Sequence, residues 1–597
     1  MRRSAVAVLL AGAALAALAA DAGGTRVLRY AFRVAETGFD PAQVIDLYSR
    51  TVTPHIFEGL YGYDHLARPA RIKPQTAAAM PEVSADWRTW TVKVQPGIYF
   101  ADDPAFKGVR RELTAADYVY SFKRFADPRL KSPVWTGLVQ QGIVGLADLR
   151  QRALDQRQPF DYDQPIEGLQ ALDRYTVRFR LEAPRPRFLQ TLATGDLYGA
   201  VAREVAEAYG DNIPAHPVGT GPFRLAQWRR SSLIVLERNP AYRERFFDAE
   251  PAADDAEGQA LLARFKGRRL PMVDRVEISI IEEDQPRWLS FLQGQMDLLE
   301  QVPAEFVELA MPGGKVAPHL AKRGVAGHQM VRADVFYVLF NMEHPVVGGM
   351  TPERVALRRA IGLAMDVPRE IALVWRQQAI PAQSPIMPGT VGYDPAFKSE
   401  MGDFDPARAM ALLDLFGYVD KDGDGWRDRP DGSPLVIEMA TQPDNLSRSL
   451  DDLRAKNMAA VGLKLKYLPA KWPENLKAAR AGTLAVWRVG NSAASPDGHP
   501  SLARYHSKQI GGQNMARFSM PAFDAIYERM EVIPDGPERQ ALFFEAKRLA
   551  AAYAPYKTLV HRAVTDLTQA RVHGYRRTLF WQDWWHMVDV DPLPVKP

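Results

Sequence analysis

Apolar residues alternate with polar ones in several short stretches of this chain. Trp90, Val92 and Val94 share one face, and Thr91, Lys93 and Gln95 share the other. Tyr175, Val177, Phe179 and Leu181 repeat the pattern, as do Val276, Ile278 and Ile280. A period of two predicts half-buried strands with one wet face. Helical periodicity comes between them. Thr114 caps a run in which Tyr118, Phe122 and Phe125 share a face, with Asp117 placed for a capping box. Thr351-Pro352 opens a second helix, with Leu357, Ile361, Ala364 and Met365 inward and Arg358 and Arg359 outward. Asp405-Pro406 opens a third, with Ala409, Leu412, Leu413 and Phe416 inward and a stop at Gly417. Strands and helices are mixed without strict alternation, which predicts an α/β protein with mixed sheets. Two stretches, Leu146 to Gln164 and Asp248 to Gly267, are polar enough to read as surface excursions.

At 597 residues the chain is long enough for several domains. Its +4 formal charge contains no dense basic tract, so no nucleic-acid partner is expected. The absence of cysteine excludes disulfides, thiolate metal sites, a cysteine nucleophile and a lipid-modified N-terminal cysteine. Arg2 and Arg3 precede the uncharged run Ala5 to Ala19, and Ala17-Leu18-Ala19 supplies small residues at cleavage positions. This layout predicts a signal peptide over residues 1–22 and an exported, periplasmic protein. The run is shorter than the roughly 20 residues that span a bilayer.

Val218 to Tyr242 carries the most specific wording. A Gly219-Thr220-Gly221-Pro222 turn leads into a strand, a basic turn, a second strand at Leu233 to Glu237 and an Arg-Asn-Pro stop. Gly and Pro punctuate strand-length apolar runs, so a hairpin is expected. A proline and a strand follow the glycines where a phosphate loop would have a helix.

Phe39-Asp40-Pro41, Ile56 to Tyr61, Trp90 to Phe100, Leu113 to Asp117, Gly219 to Tyr242, Phe340-Asn341, Arg354 to Asp366, Asp405 to Tyr418 and Ser519 to Asp524 occur in one order. In that order they resemble the family 5 extracellular solute-binding proteins, the substrate-binding subunits of peptide and nickel ABC importers. The resemblance implies a two-lobed binding protein of the type II-like, cluster C kind with an additional domain. It implies hinge closure on a solute. The implied division is lobe I over 23–57, 215–340 and 561–597, the additional domain over 58–214, and lobe III over 341–560. The implied partners are a peptide or similar-sized solute and an inner-membrane ABC permease, with the protein acting as a monomer and without catalysis. Two further readings stand beside it: a secreted hydrolase on a two-lobed fold, and a chemosensory or chaperone binding module.

By position the resemblance places Ile45, Asp46, Leu47, Trp135, Phe336, Tyr337, Trp487, Arg488, Gly490 and Asn491 at the ligand; each is otherwise a core aromatic or a loop residue. Oligopeptide-binding relatives carry an aspartate just after this tryptophan, where it pairs with the peptide ammonium. Here Arg488-Val489-Gly490-Asn491 follows Trp487, and the next carboxylate is Asp497. The usual amine anchor is therefore missing or displaced, and Arg488 there would repel an ammonium and favour a carboxylate or phosphate; the alternatives are that Asp46 or Asp497 folds in as a substitute anchor or that Arg488 faces solvent.

Asp420, Asp422, Asp424, Trp426, Asp428 and Asp431 have calcium-loop spacing, with Gly425 at the sharp turn. The bidentate glutamate of such loops is absent, so a calcium site and a plain solvated turn both remain open; no other cofactor is expected. No convincing ligand set exists among the 11 histidines. Trp581, Trp584 and Trp585 are expected to pack the final segment onto the first lobe.

Overall fold

The helix opened by Thr114 runs Ala115–Arg124 in the computed structural model, which describes residues 24–593. Its capping box is present, with the Thr114 amide donating to Asp117 at 2.7 Å. The Pro352–Leu363 and Pro406–Leu415 helices also start where expected. The expected signal segment lies outside the described residues.

Most strands gather into three main sheets. In lobe I, Val27–Phe32 pairs in parallel with Arg275–Ile280, and the hairpin Phe223–Arg229 and Leu233–Arg238 completes a four-stranded sheet. Leu28, Phe32, Ile234, Leu236, Val276 and Ile278 fill its inner face together with Trp584 and Trp585, so the chain end returns to this lobe. The additional domain is built on Glu82–Val83, Thr89–Lys93, Thr176–Arg180 and Leu169–Ala171. Trp90, Val92, Val177 and Phe179 face Tyr118 and Phe122 of the capped helix. Trp581 joins this second core, where it stacks on Tyr63 at 5.0 Å.

The third sheet explains how the lobes are joined. Strand Tyr556–Thr568 is 13 residues long. Its first part pairs with Asp334–Phe340 and Ala379–Pro381, and its second part with Ala326–Val331 and Leu298–Leu299. Asp334–Phe340 also pairs with Val486–Ser492, which continues to Val436–Thr441 and Lys464–Pro469. Asp334–Phe340 thus joins the strands that follow it in the same sheet. Asp334 lies between the two crossing strands and accepts from the Arg562 amide at 2.9 Å and from its Nε at 2.8 Å.

Gly219 and Gly221 have a packing role at the joint of lobe I and the additional domain. A Cβ on Gly219 would lie 2.0 Å from the Ile56 carbonyl oxygen, and one on Gly221 2.6 Å from that of His55. Between them, the Thr220 hydroxyl donates to Glu58 at 2.9 Å.

Several expectations are corrected. Trp581 packs on the additional domain instead of the first lobe, and Leu146, Leu149 and Phe160 of the expected excursion are buried in the same core. Arg358, placed outward by the helical period, is fully buried, and donates to Val347 and Gly349 carbonyls at 2.8 Å. Those carbonyls belong to a loop folded over the helix, which periodicity does not register. Asp248 to Gly267 is anchored: Phe265 is buried against Phe247 and Leu66, and Asp255 binds Arg576 at 2.6 Å.

Candidate functional site: the interlobe cleft

Strand Val486–Ser492 separates two environments. Trp487 and Val489 point to one face, with Val335, Tyr337 and Leu339 of the paired strand. Val486 and Arg488 point to the other, with Phe336, Val338 and Phe340. Beyond the strand, Ser492 to Asp497 runs as an irregular segment through the middle of the molecule.

Four neighbouring cavities surround that segment. One, of about 130 Å³, lies between it and Tyr30, Tyr48, Arg332 and Arg577. A second, of about 260 Å³, is closed on the lobe I side by Leu47, Arg50, Asp196 and Leu579 to Asp583. A third, of about 380 Å³, lies in lobe III between Tyr337, Trp472, Arg504 and Gln513. The last, of about 330 Å³, is shared with the additional domain through Arg185, Arg187 and Thr194. Ser492 and Ala493 line the first three. The two larger ones fall within the size range of small-molecule sites.

Leu47, Tyr337, Gly490 and Asn491 are brought together on these walls. The other residues implied by the resemblance stand away from all four cavities. Ile45 is exposed to solvent. Asp46 caps the helix Leu47–Val52, accepting from the Ser49 amide at 2.8 Å and the Thr37 hydroxyl at 2.6 Å. Trp135 packs on the additional-domain core with the Arg150 guanidinium 5.1 Å over its ring. Trp487 is 1% exposed within the lobe III core. Phe336 lies on the opposite sheet face from Tyr337.

Arg488 is on that same far face, 4.6 Å from the Phe336 ring and 5.4 Å from that of Trp375. Burial, with Arg454 nearby, pulls its guanidinium down to about 9. It is thus packed behind the sheet instead of facing the lobe III cavity. The period of two decides this: Arg488 follows Trp487, and one residue reverses the face.

Asp497 is on the wall, but its charge is taken. Arg539 Nη2 donates to both its oxygens, at 2.8 and 2.9 Å, and Arg187 Nε is 3.1 Å away. The contrast is with two groups that sequence reasoning missed. Arg504, over the Tyr337 ring at 4.5 Å, donates through Nε to the Ser501 carbonyl but leaves Nη1 without a partner. Asp583 leaves Oδ1 without a partner. Burial, and then the Asp196 carboxylate, push its carboxyl up to about 7. The signal for Asp583 was present: Gln582-Asp583 is a polar pair inside an otherwise aromatic run, Phe580-Trp581 and Trp584-Trp585.

The acidic turn folds on itself. Asp420, Asp422 and Asp428 each bring an oxygen within 4.8 Å of the others. The same carboxylates accept backbone N–H bonds, Asp420 from Gly423 at 2.7 Å and Gly425 at 2.9 Å, and Asp428 from Lys421 at 3.0 Å. Asp424 is taken by the Trp426 amide and Asp431 by Ser433.

Comparison with known proteins finds relatives along almost the whole chain. Di/tripeptide-binding protein 2 of Pseudomonas aeruginosa is 26% identical over 591 residues, covering 95% of each chain. Heme-binding protein A of Haemophilus influenzae is 24% identical, covering 94% of this chain and 92% of that protein. The unliganded open form of MppA, a periplasmic murein tripeptide binding protein, superposes with a TM-score of 0.72 at 19% identity, covering 95% and 99% of the two chains. DppA of Helicobacter pylori, in complex with the peptide STSA, gives 0.67 at 22% identity, covering 96% and 100%. Residues 71–513 match the family described as bacterial extracellular solute-binding proteins, family 5. With two lobes, a double crossing between them and a cleft at the crossing, the chain belongs to the bacterial extracellular solute-binding proteins of family 5.

Proposed function

We propose that this protein is the periplasmic substrate-binding component of an ABC importer. It captures a short peptide or peptide-sized zwitterion between its lobes and delivers it to a membrane permease. One observation carries the choice of ligand. The cleft is lined by an acid with an unpaired buried oxygen, Asp583, beside Ser492 to Ala494 in one cavity, and by an incompletely paired, buried guanidinium, Arg504, in the neighbouring one. Buried polar groups without partners are costly, so such groups are the ones a ligand satisfies. Opposite charges in neighbouring cavities suit a molecule with an amine and a carboxylate.

Family membership and the peptide-binding names of relatives support the reading. The protein acts by binding and closure, as a monomer, and releases its solute unchanged. Native mass spectrometry of protein exported and purified without refolding tests this. The expected result is a co-purified di- to tetrapeptide or a zwitterion of that size, with residues 1–22 removed from the chain. An apolar ligand, or hydrolysis products of an added peptide, would overturn it.

A further inference from the structure

Almost every acidic side chain on the cleft wall has its partner. Asp497 is held by Arg539 and Arg187. Asp196 is held by Arg50, Nε to Oδ2 at 2.6 Å. Glu531 is paired with Arg185. Glu300 accepts from the Tyr30 hydroxyl and lies 3.8 Å from Arg577. Asp583 is the exception among the described residues: its Oδ1 is sealed from solvent without a donor, and the side chain borders the cavity of about 260 Å³.

The segment that carries it is pinned on both sides. Trp581 is stacked between Tyr63, at 5.0 Å, and the Arg68 guanidinium, at 5.3 Å. The Gln582 carbonyl oxygen meets His55 Nε2 at 3.1 Å. Trp584 and Trp585 are buried in the lobe I core. With its neighbours fixed, Asp583 is held at the wall. The charged groups that act on it are Asp196 and Glu58, of its own sign, and Arg245. Arg50 and Arg243 are already engaged by Asp196 and Glu58.

We propose that the Asp583 carboxyl, with Asp196 behind it, is the subsite that receives a positively charged, hydrogen-bond-donating group of the captured solute, an ammonium or a guanidinium. It lies on the C-terminal return of lobe I, on the far side of Ser492 to Ala494 from the position after Trp487. An ammonium there would supply the missing donor and the missing charge in one group, and charge-assisted bonds of this kind are the strong ones. Because burial raises the carboxyl toward neutrality in the empty cleft, a bound cation returns it to the ionised form and a proton is released. The proposal rests on the reading of the cleft as a solute site.

Calorimetry with trialanine, N-acetylated trialanine and cadaverine tests it on the wild-type protein and on Asp583→Asn, with melting temperature as a check on folding. The wild type should bind trialanine about tenfold or more tighter than the acetylated form. Asp583→Asn should lose that preference while binding the acetylated peptide as before. Titrations near neutral pH in buffers of different ionisation enthalpy should show proton release in the wild type and none in the variant. Binding of cadaverine but not of trialanine would overturn the peptide reading and keep the subsite. Equal binding of free and acetylated peptide by the wild type, a preference unchanged in Asp583→Asn, or binding of neither amine would overturn the subsite. If Asp583→Asn does not fold, Asp583→Ser takes its place in the same comparison, and a preference for the free amine unchanged in it overturns the subsite.

Discussion

Arg187 Nε lies 3.1 Å from Asp497 Oδ2, and the two residues come from different domains. Arg187 belongs to the additional domain and Asp497 to lobe III. The same guanidinium donates to the carbonyls of Met530 and Ile533 at 2.9 Å, at the C-terminal end of helix Pro521–Val532. A cation at a helix C-terminus meets both unsatisfied carbonyls and the negative end of the helix dipole. One side chain thus ties the additional domain to lobe III across the cleft.

Opening the cleft by separating these domains has to break that tie. Arg187→Ala should shift the unliganded protein toward an open form, seen as a larger radius of gyration in small-angle scattering. Solute affinity should fall with the closed fraction, about tenfold for each 1.4 kcal/mol of lost closure. Asp497 keeps Arg539 as its partner, so the fold should survive. Scattering identical to wild type, with and without solute, would count against a latch.

Trp487 and Arg488 should behave as structural residues. Trp487→Ala empties a core position and should cost about 3–5 kcal/mol of stability in chemical denaturation. Arg488→Met keeps the volume between Phe336 and Trp375 and lies behind the sheet, so solute affinity should stay within about twofold of wild type, less than 1.4 kcal/mol. A large loss of affinity in a stable Arg488→Met variant would put that guanidinium in the binding site.

Asp583 should make stability depend on pH in an identifiable direction. Its folded carboxyl is raised from 3.8 to about 7. The folded state therefore holds the proton more tightly than the unfolded state, and stability falls as pH rises between those values. Each unit is worth about 1.4 kcal/mol. With the side chain reachable from the cavity, a net penalty of about 1–3 kcal/mol is expected above pH 7 after screening. Asp583→Asn removes it, so the variant should gain melting temperature over wild type at about pH 8 and little at about pH 4. A gain that is the same at both values would contradict this.

The turn from Asp420 to Asp431 should need no ion. Its carboxylates are used by Gly423, Gly425, Trp426, Lys421 and Ser433 amides. Melting temperatures in excess calcium and in chelator should therefore agree. A calcium-dependent rise would show that the three oxygens grouped within 4.8 Å gather an ion.

Local order was legible from residues alone. Thr114 with Asp117, Thr351-Pro352 and Asp405-Pro406 start helices because a cap and a proline act within a few residues of their own position. The Gly219 to Tyr242 hairpin was legible for the same reason, and the order of such pieces carried the family. Questions of facing and pairing were not local. Arg358 is inside because the Val347 to Gly349 loop folds over it. Trp487 is core and Arg488 lies behind the sheet because of which strands flank Val486–Ser492. Asp497 is neutralised by residues far along the chain at 187 and 539, whereas Asp583 has no such partner, a difference that its place between Trp581 and Trp584 does not show. The sequence alone determined the elements and the kind of protein, because caps, turns and periodicity act over a few residues. Which charges remain free to meet a solute was decided by the tertiary structure, since a charge is satisfied or left bare by whatever the folded chain brings within hydrogen-bond distance of it.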